Sequence, residues 1–336
     1  MNHFAKRVLA AILALGMTAV LAACGGGETG DGEKTVKLRL SEVTHSVFYA
    51  PQYVALEKGF FEEEGLEVEL INGGGADKVM VSVLTGEAEI GLAGPEACIY
   101  TLLEGREDSP RIFAQLTNCD GSFLVGRTDE DFSWENLRGK TIIGGRKGGV
   151  PEMTLEYTMK KNGVVPHVDA TVDTSVQFNM MAGAFTAGTG DYVTLFEPTA
   201  TEVELAGQGY ILCAIGEESG EIPYTAYFAA GSYMDEHPDV IQRFTNAVYK
   251  GQQWVAEHSD AEVAAALVSA FPDTDEDVLT TVVGRYRSIG AWNTVPQMHQ
   301  EALERLETVM ESAGELSERV DFEKLVDNSY AEKACG

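Results

Sequence analysis

The chain has 336 residues with 53 acidic against 24 basic side chains, a formal net charge of -29. Apolar residues make up 44% and aromatics 9%, the composition of a packed globular protein rather than a disordered one. A surface this acidic repels nucleic acid and anionic lipid at long range, which excludes both as partners. The chain opens with Lys6 and Arg7, an apolar run from Val8 to Val20, and Leu21-Ala22-Ala23-Cys24. This is the layout of a secretory signal, and the run falls short of the ~20 residues that a membrane span needs.

Leu-Ala-Ala-Cys resembles a bacterial lipobox, which implies cleavage after residue 23, lipidation of Cys24 and an extracytoplasmic protein. Residues 24–34, rich in glycine, read as a flexible tether. From Thr35 the pattern alternates. Val36–Leu40 reads as a strand, Ala50–Glu64 as a helix capped by Gly65, and Leu66–Ile71 as a strand. Gly73-Gly74-Gly75 makes a turn into a helix over Ala76–Leu84; Glu89–Ala93 is a strand, Pro95 suits a helix first turn, and Arg111–Thr117 is a strand. This order predicts a mostly parallel sheet.

A second series follows: strands over Ser122–Arg127, Lys140–Gly144, Tyr192–Phe196, Tyr210–Ala214 and Tyr224–Ala229, and helices over Pro151–Asn162 and Ser175–Ala184. The remainder is helical: Pro238–Glu257, Ala261–Ala270, Asp275–Ile289 and Pro296–Ser312. The expected organisation is therefore lobe I over 35–120, lobe II over 121–227, and a mostly helical return to lobe I over 228–336. In open α/β sheets ligands bind beyond the carboxyl ends of the strands. Here those places are Thr44–Tyr49, Gly73–Asp77, Gly94–Glu96, Asn118–Ser122, Arg146–Glu152 and Phe196–Pro198.

Ala55–Val68, Ala-Leu-Glu-Lys-Gly-Phe-Phe followed by Gly65-Leu66-Glu67-Val68, is similar to the signature of substrate-binding proteins of ABC importers for alkanesulfonates, nitrate, taurine and thiamine pyrimidine precursors. Leu84–Gly91, Glu135–Ile142 and Gly190-Asp191-Tyr192 with Glu197-Pro198 resemble further segments of that group, in its order. The resemblance implies a type II periplasmic-binding-protein fold: two α/β lobes closing on a small molecule that is passed to a membrane permease. It implies a monomer, with no cofactor and no catalysis.

Candidate ligand contacts follow from the strand-end loops. His45, Phe48 and Tyr49 place rings where a strand gives way to a helix. Gly94 and Glu96 set a carboxylate at a helix start, where it either stabilises the helix dipole or accepts hydrogen bonds from ligand N–H groups; Glu197 before Pro198 has the same two readings. Asp120 serves a turn or the ligand. Gly149, Pro151 and Glu152 occupy the loop where alkanesulfonate binders carry serines; proline removes an N–H and glutamate adds negative charge, which disfavours an oxyanion, although Arg146 and Lys147 lie beside it. Tyr224, Tyr227 and Trp292 complete possible stacking walls. Aromatic walls with carboxylates favour a flat, nitrogen-rich ligand such as an aminopyrimidine, with a sulfonate, taurine or nitrate as the alternative.

Cys98, Cys119, Cys213 and Cys335 have no metal spacing, so free thiols are expected, with one disulfide possible. No H-E-x-x-H, Walker A or G-x-S-x-G motif occurs, so no metal or catalytic site is expected. An enzyme resembling the pyrimidine-synthesising branch of the same fold is a remote alternative, as is a sensor or adhesion lipoprotein. The anchor favours a single-membrane, Gram-positive-type cell, where a diacyl lipid keeps a binder near its permease.

Overall fold

The computed structural model describes residues 35–336. The signal segment, Cys24 and the tether lie outside the described residues. Ten strands form two five-stranded sheets. The first contains β1 (Val36–Glu42), β2 (Leu66–Asn72), β3 (Ile90–Ala93), β4 (Pro110–Thr117) and β10 (Thr225–Ala230), in the order β2-β1-β3-β10-β4. The second contains β5 (Phe123–Gly126), β6 (Thr141–Ile143), β7 (Thr171–Asp173), β8 (Tyr192–Leu195) and β9 (Tyr210–Ala214), in the order β7-β6-β8-β5-β9.

The two orders are the same topology. In each sheet the fourth strand, β10 or β5, runs antiparallel to both neighbours, and the other pairs are parallel. That strand is the one delivered by a crossing from the other lobe. β5 follows β4 into the second lobe, and β10 returns from it. The expectation of mostly parallel sheets holds, with one strand in each reversed by the crossing. β3, β5 and β8 are buried along their whole length, which is why they read as unbroken apolar runs rather than alternating ones.

Helices pack on the sheets as the apolar spacing dictates. Pro238–Glu257 buries Val240, Ile241, Phe244, Ala247, Val248, Gly251 and Val255, one stripe at helical period. Phe244 meets Phe61, Phe113 and Tyr227, and each such ring contributes roughly 2 kcal/mol by burial. The second lobe has its own core around Leu124, Ile142, Leu155, Val172 and Ile215.

Several boundaries differ from the sequence expectation. The helix over Ala50–Glu64 is two helices, Ala50–Glu57 and Phe60–Glu63, because Gly59 takes a left-handed φ of 75° that an α-helix cannot continue through. Ser175 is not helical: Asp173 accepts its N–H and hydroxyl in a turn, and helix starts only near Phe178. The last long helix runs Gln300–Ala313, since Pro296 lies in a bend and its carbonyl accepts from the Gln115 N–H of β4. That helix packs on Val150–Lys161 of the second lobe, while the segments before and after it pair with β4.

The lobes touch through specific bonds. The Ser46 hydroxyl donates to the Glu197 carbonyl (2.6 Å), the Glu197 N–H donates to the Tyr286 hydroxyl (2.9 Å), and the Tyr100 hydroxyl donates to the Gly148 carbonyl (3.0 Å). No helix of the described residues is long and apolar enough to cross a membrane. Cys98, Cys119, Cys213 and Cys335 are free thiols, the first two buried.

Candidate ligand-binding site

A cavity lies between the lobes at the carboxyl ends of β1, β2, β3, β6, β7 and β8. From the first lobe come Thr44 and Tyr49, the Gly74–Asp77 turn, and Gly94 with Glu96; from the second come Gly145, Arg146, Gly149–Pro151, Phe178 and Phe196. Tyr224 and Thr225, where the chain returns to the first lobe, close it. Of the six strand-end loops expected from the sequence, five line the cavity. Asn118–Ser122 does not, and the segment after β7 was missed. β7 is three residues of mixed polarity, Thr-Val-Asp, and carries no readable strand signal, so nothing pointed to Gln177 and Phe178.

Glu96 is the first residue of helix Glu96–Leu103 and is only 2% exposed. Its Oε1 accepts, at 3.4 Å, from the Val150 N–H at the start of the facing helix. Its Oε2 is buried with no hydrogen-bond partner. Gly94 explains the pose: a Cβ there would stand 2.0 Å from that oxygen, so only glycine lets the carboxylate fold over the strand end. Burial raises the Glu96 pKa to about 7, against the pull of the Arg146 guanidinium.

Asp120 sits behind this floor, fully buried. Its Oδ1 accepts from the Ser122 N–H (2.7 Å) and hydroxyl (2.6 Å), and its Oδ2 has no partner. Burial raises its pKa to about 7, against the bonds from Ser122; the Tyr224 hydroxyl lies nearby but is not hydrogen-bonded to it. That hydroxyl, itself buried, makes no hydrogen bond. Three polar groups thus converge with unused bonding capacity. A buried polar atom without a partner costs about 1–3 kcal/mol.

Other predicted residues sit elsewhere. Phe48 is beneath the floor: it packs on Tyr49, Phe196, Tyr224 and Tyr286, and Gly121 leaves room for its ring, since a Cβ there would come within 2.3 Å. Trp292 stays outside as well, its indole N–H bonded to the Phe48 carbonyl at 2.9 Å. Tyr227 is a core residue, because the third position after Tyr224 in β10 faces the first-lobe interior; its hydroxyl donates to Gln52. His45 lines an adjoining hollow rather than the cavity. Its ring nitrogens face Glu42 Oε1 (3.1 Å) and the Ala270 carbonyl (2.8 Å), it stacks on Phe271, and the Glu42 bond raises its pKa.

Glu152 turns away from the cavity. Its Oε2 accepts from the Gly148 N–H, and burial beside Glu156 raises its pKa to about 7. With His167, bonded to Glu156 at 2.7 Å, it forms the one group of potential metal ligands among the described residues. Lys160 is 3.8 Å from Glu156. Glu197 is spent on structure. It accepts from the Thr201 N–H and hydroxyl (both 2.8 Å) and from Arg285 (2.8 Å), capping helix Thr199–Leu205. Burial still raises its pKa, with Arg285 opposing.

Residues 47–262 match the family model described as NMT1/THI5 like. A Bacillus subtilis protein described as a binding protein, YtlA, is 42% identical over 99% of this chain and 98% of its own length. Among solved structures, the alkanesulfonate-binding protein SsuA of Xanthomonas axonopodis pv. citri, bound to MOPS, superposes with a TM-score of 0.70 over 88% of this chain and 99% of its own, at 15% identity. The nitrate-binding protein NrtA of Synechocystis PCC 6803 gives 0.68 over 90% and 89%, at 17% identity. The shared architecture with binding proteins, the cavity at its switch point and the full-length similarity to YtlA agree: this chain belongs to the NMT1/THI5-like family and has the two-lobe periplasmic-binding-protein fold.

Proposed function

We propose that the protein is the extracytoplasmic substrate-binding component of an ABC importer. It captures a small molecule between its lobes and hands it to a membrane permease, held to the membrane by lipid on Cys24. Closure is stabilised by contacts that only the closed form makes, and the permease reads closure; no chemical step is required. Full-length similarity to a described binding protein supports this reading.

The favoured ligand is a nitrogen heterocycle of the aminopyrimidine type, and the observation that carries it is Glu96. This carboxylate has an unused oxygen in a cavity walled by Tyr49, Phe178, Phe196 and Tyr224. The same residue argues against a sulfonate or nitrate. The helix start that would cradle an oxyanion has Pro151 without an N–H, and its Val150 N–H already faces Glu96. Arg146 is what supports the oxyanion alternative.

Thermal-shift screening of the purified domain against pyrimidines, vitamins, amines and sulfonates tests the reading. Stabilisation by heterocycles supports it; stabilisation by sulfonates alone removes the ligand preference.

A further inference from the structure

We infer that the ligand enters as an organic cation of the amidinium type, its N–H groups on Glu96 Oε2 and its flat face against the aromatic wall. This deepens the proposed function and rests on the cavity being the ligand site. Three separate observations converge on it.

The first is charge. Glu96 and Asp77 line the cavity, and Asp120 stands behind Tyr224; Arg146 is the single cation among the lining residues. Arg146 is also partly engaged, with Asp77 at 3.8 Å and a bond to the Lys147 carbonyl at 3.3 Å. Arg146 offsets Asp77, so an ionised Glu96 is the uncompensated charge of the lining, and a cationic ligand pairs with it where a neutral one does not. The second is valence. Glu96 Oε2 and the Tyr224 hydroxyl are both buried without partners, and an ionised carboxylate can only accept. A ligand that donates two N–H groups satisfies both oxygens; a carbonyl or sulfonyl oxygen can take only the Tyr224 hydroxyl proton and leaves Oε2 without a partner. The third is the wall. Tyr49 and Tyr224 line the cavity beside these groups, and an aromatic face attracts a cation through its ring quadrupole.

Binding is therefore linked to a proton. Glu96 faces Arg146 on the glycine loop, Tyr49 and Tyr224 on the floor, and Cys98 and Tyr100 on its own helix. Burial raises the pKa of each tyrosine and of Cys98, so all stay neutral. Glu96 is left as the group that changes charge, with Asp120 behind it. With a carboxyl at about 7, the empty site is mostly protonated below neutrality. A cation selects the ionised form, so the proton leaves to solvent as the ligand enters. Affinity then rises with pH up to about 7 and levels off above it.

Calorimetric titration with benzamidine, cationic across this range, and benzamide, its neutral counterpart, tests the inference at pH 6 and 8. We expect benzamidine to bind at least about tenfold tighter than benzamide, and its affinity to rise about tenfold from pH 6 to 8, the change in ionised fraction of a group at about 7. Glu96→Gln, which keeps shape and fold, should remove both effects. Arg146→Gln, at a partly exposed side chain, should tighten benzamidine. Equal or tighter binding of benzamide, or of neutral heterocycles at any pH, overturns the cation inference and leaves capture of a small molecule standing. Binding of sulfonates with neither probe bound overturns the cation and the heterocycle reading together.

Discussion

Glu96 and Glu197 occupy equivalent places in the two lobes. Each follows the third strand of its sheet, β3 or β8, each is next to a proline, and each stands at the start of a short helix. Both are buried, and burial raises both pKa values. Their bonding differs completely. Glu197 has three donors, Thr201 twice and Arg285, while Glu96 has one long bond and an oxygen with none. The same residue in the same topological position is a helix cap in one lobe and an open acceptor in the other. What separates them is the neighbouring donors, Thr201 and Arg285 against Gly94 and Val150. Position in the fold alone therefore does not separate a structural carboxylate from one with hydrogen-bond capacity to spare.

Substitutions should split the pair. The largest effect is expected from Glu197→Ala, which takes the buried carboxylate from Arg285, leaving it Glu204 at 3.3 Å, and leaves the Thr201 N–H uncapped, costing about 3 kcal/mol in urea unfolding. Glu96→Gln should cost nothing measurable or stabilise, since no cation is bonded to it. Equal losses at both positions would break the comparison.

The next effect lies in the pH dependence of the ligand-free protein. Glu96 and Asp120 both have folded pKa values of about 7, above those of the unfolded chain. The folded state therefore holds more protons between the two values. Stability from these groups is complete below pH 4 and is lost as pH rises toward 7. Melting temperatures from pH 4.5 to 7.5 should fall less in Glu96→Gln than in the native protein. Parallel curves would place Glu96 in the ordinary carboxylate range.

Smaller still, Gly94→Ala pushes the Glu96 carboxylate off its perch and crowds Val150, and should weaken ligand binding by about tenfold or more, a charge-assisted hydrogen bond. The smallest effect belongs to the wall: Tyr49→Ala should weaken binding by about fivefold through lost stacking without unfolding the protein, and Tyr49→Phe should not. An unchanged dissociation constant in Tyr49→Ala would remove that loop from the site.

The two-lobe α/β architecture, nine of the ten strands and most cavity loops were legible because periodicity and glycine or proline punctuation are local signals, whereas the order of strands within each sheet was not. The site itself was only half legible. Glu96 and Glu197 look alike in sequence, and so do Tyr224 and Tyr227. Their fates depend on Arg285, some 88 residues from Glu197, and on Gln52, 175 residues from Tyr227. Phe48 and Trp292 were expected at the ligand because large rings at strand ends need cover. Here the cover is other protein: Phe48 lies under Tyr224 and Tyr286, and Trp292 is tied to its carbonyl. Such long-range partners leave no trace in spacing.

The most direct test of the open-acceptor claim is the carboxyl carbon of Glu96, followed by NMR against pH with and without benzamidine. A midpoint of about 7 in the free protein, moving well down into or below the ordinary carboxylate range when the cation binds, is the predicted result. A midpoint already in the ordinary range that does not move on addition of the cation would contradict the account.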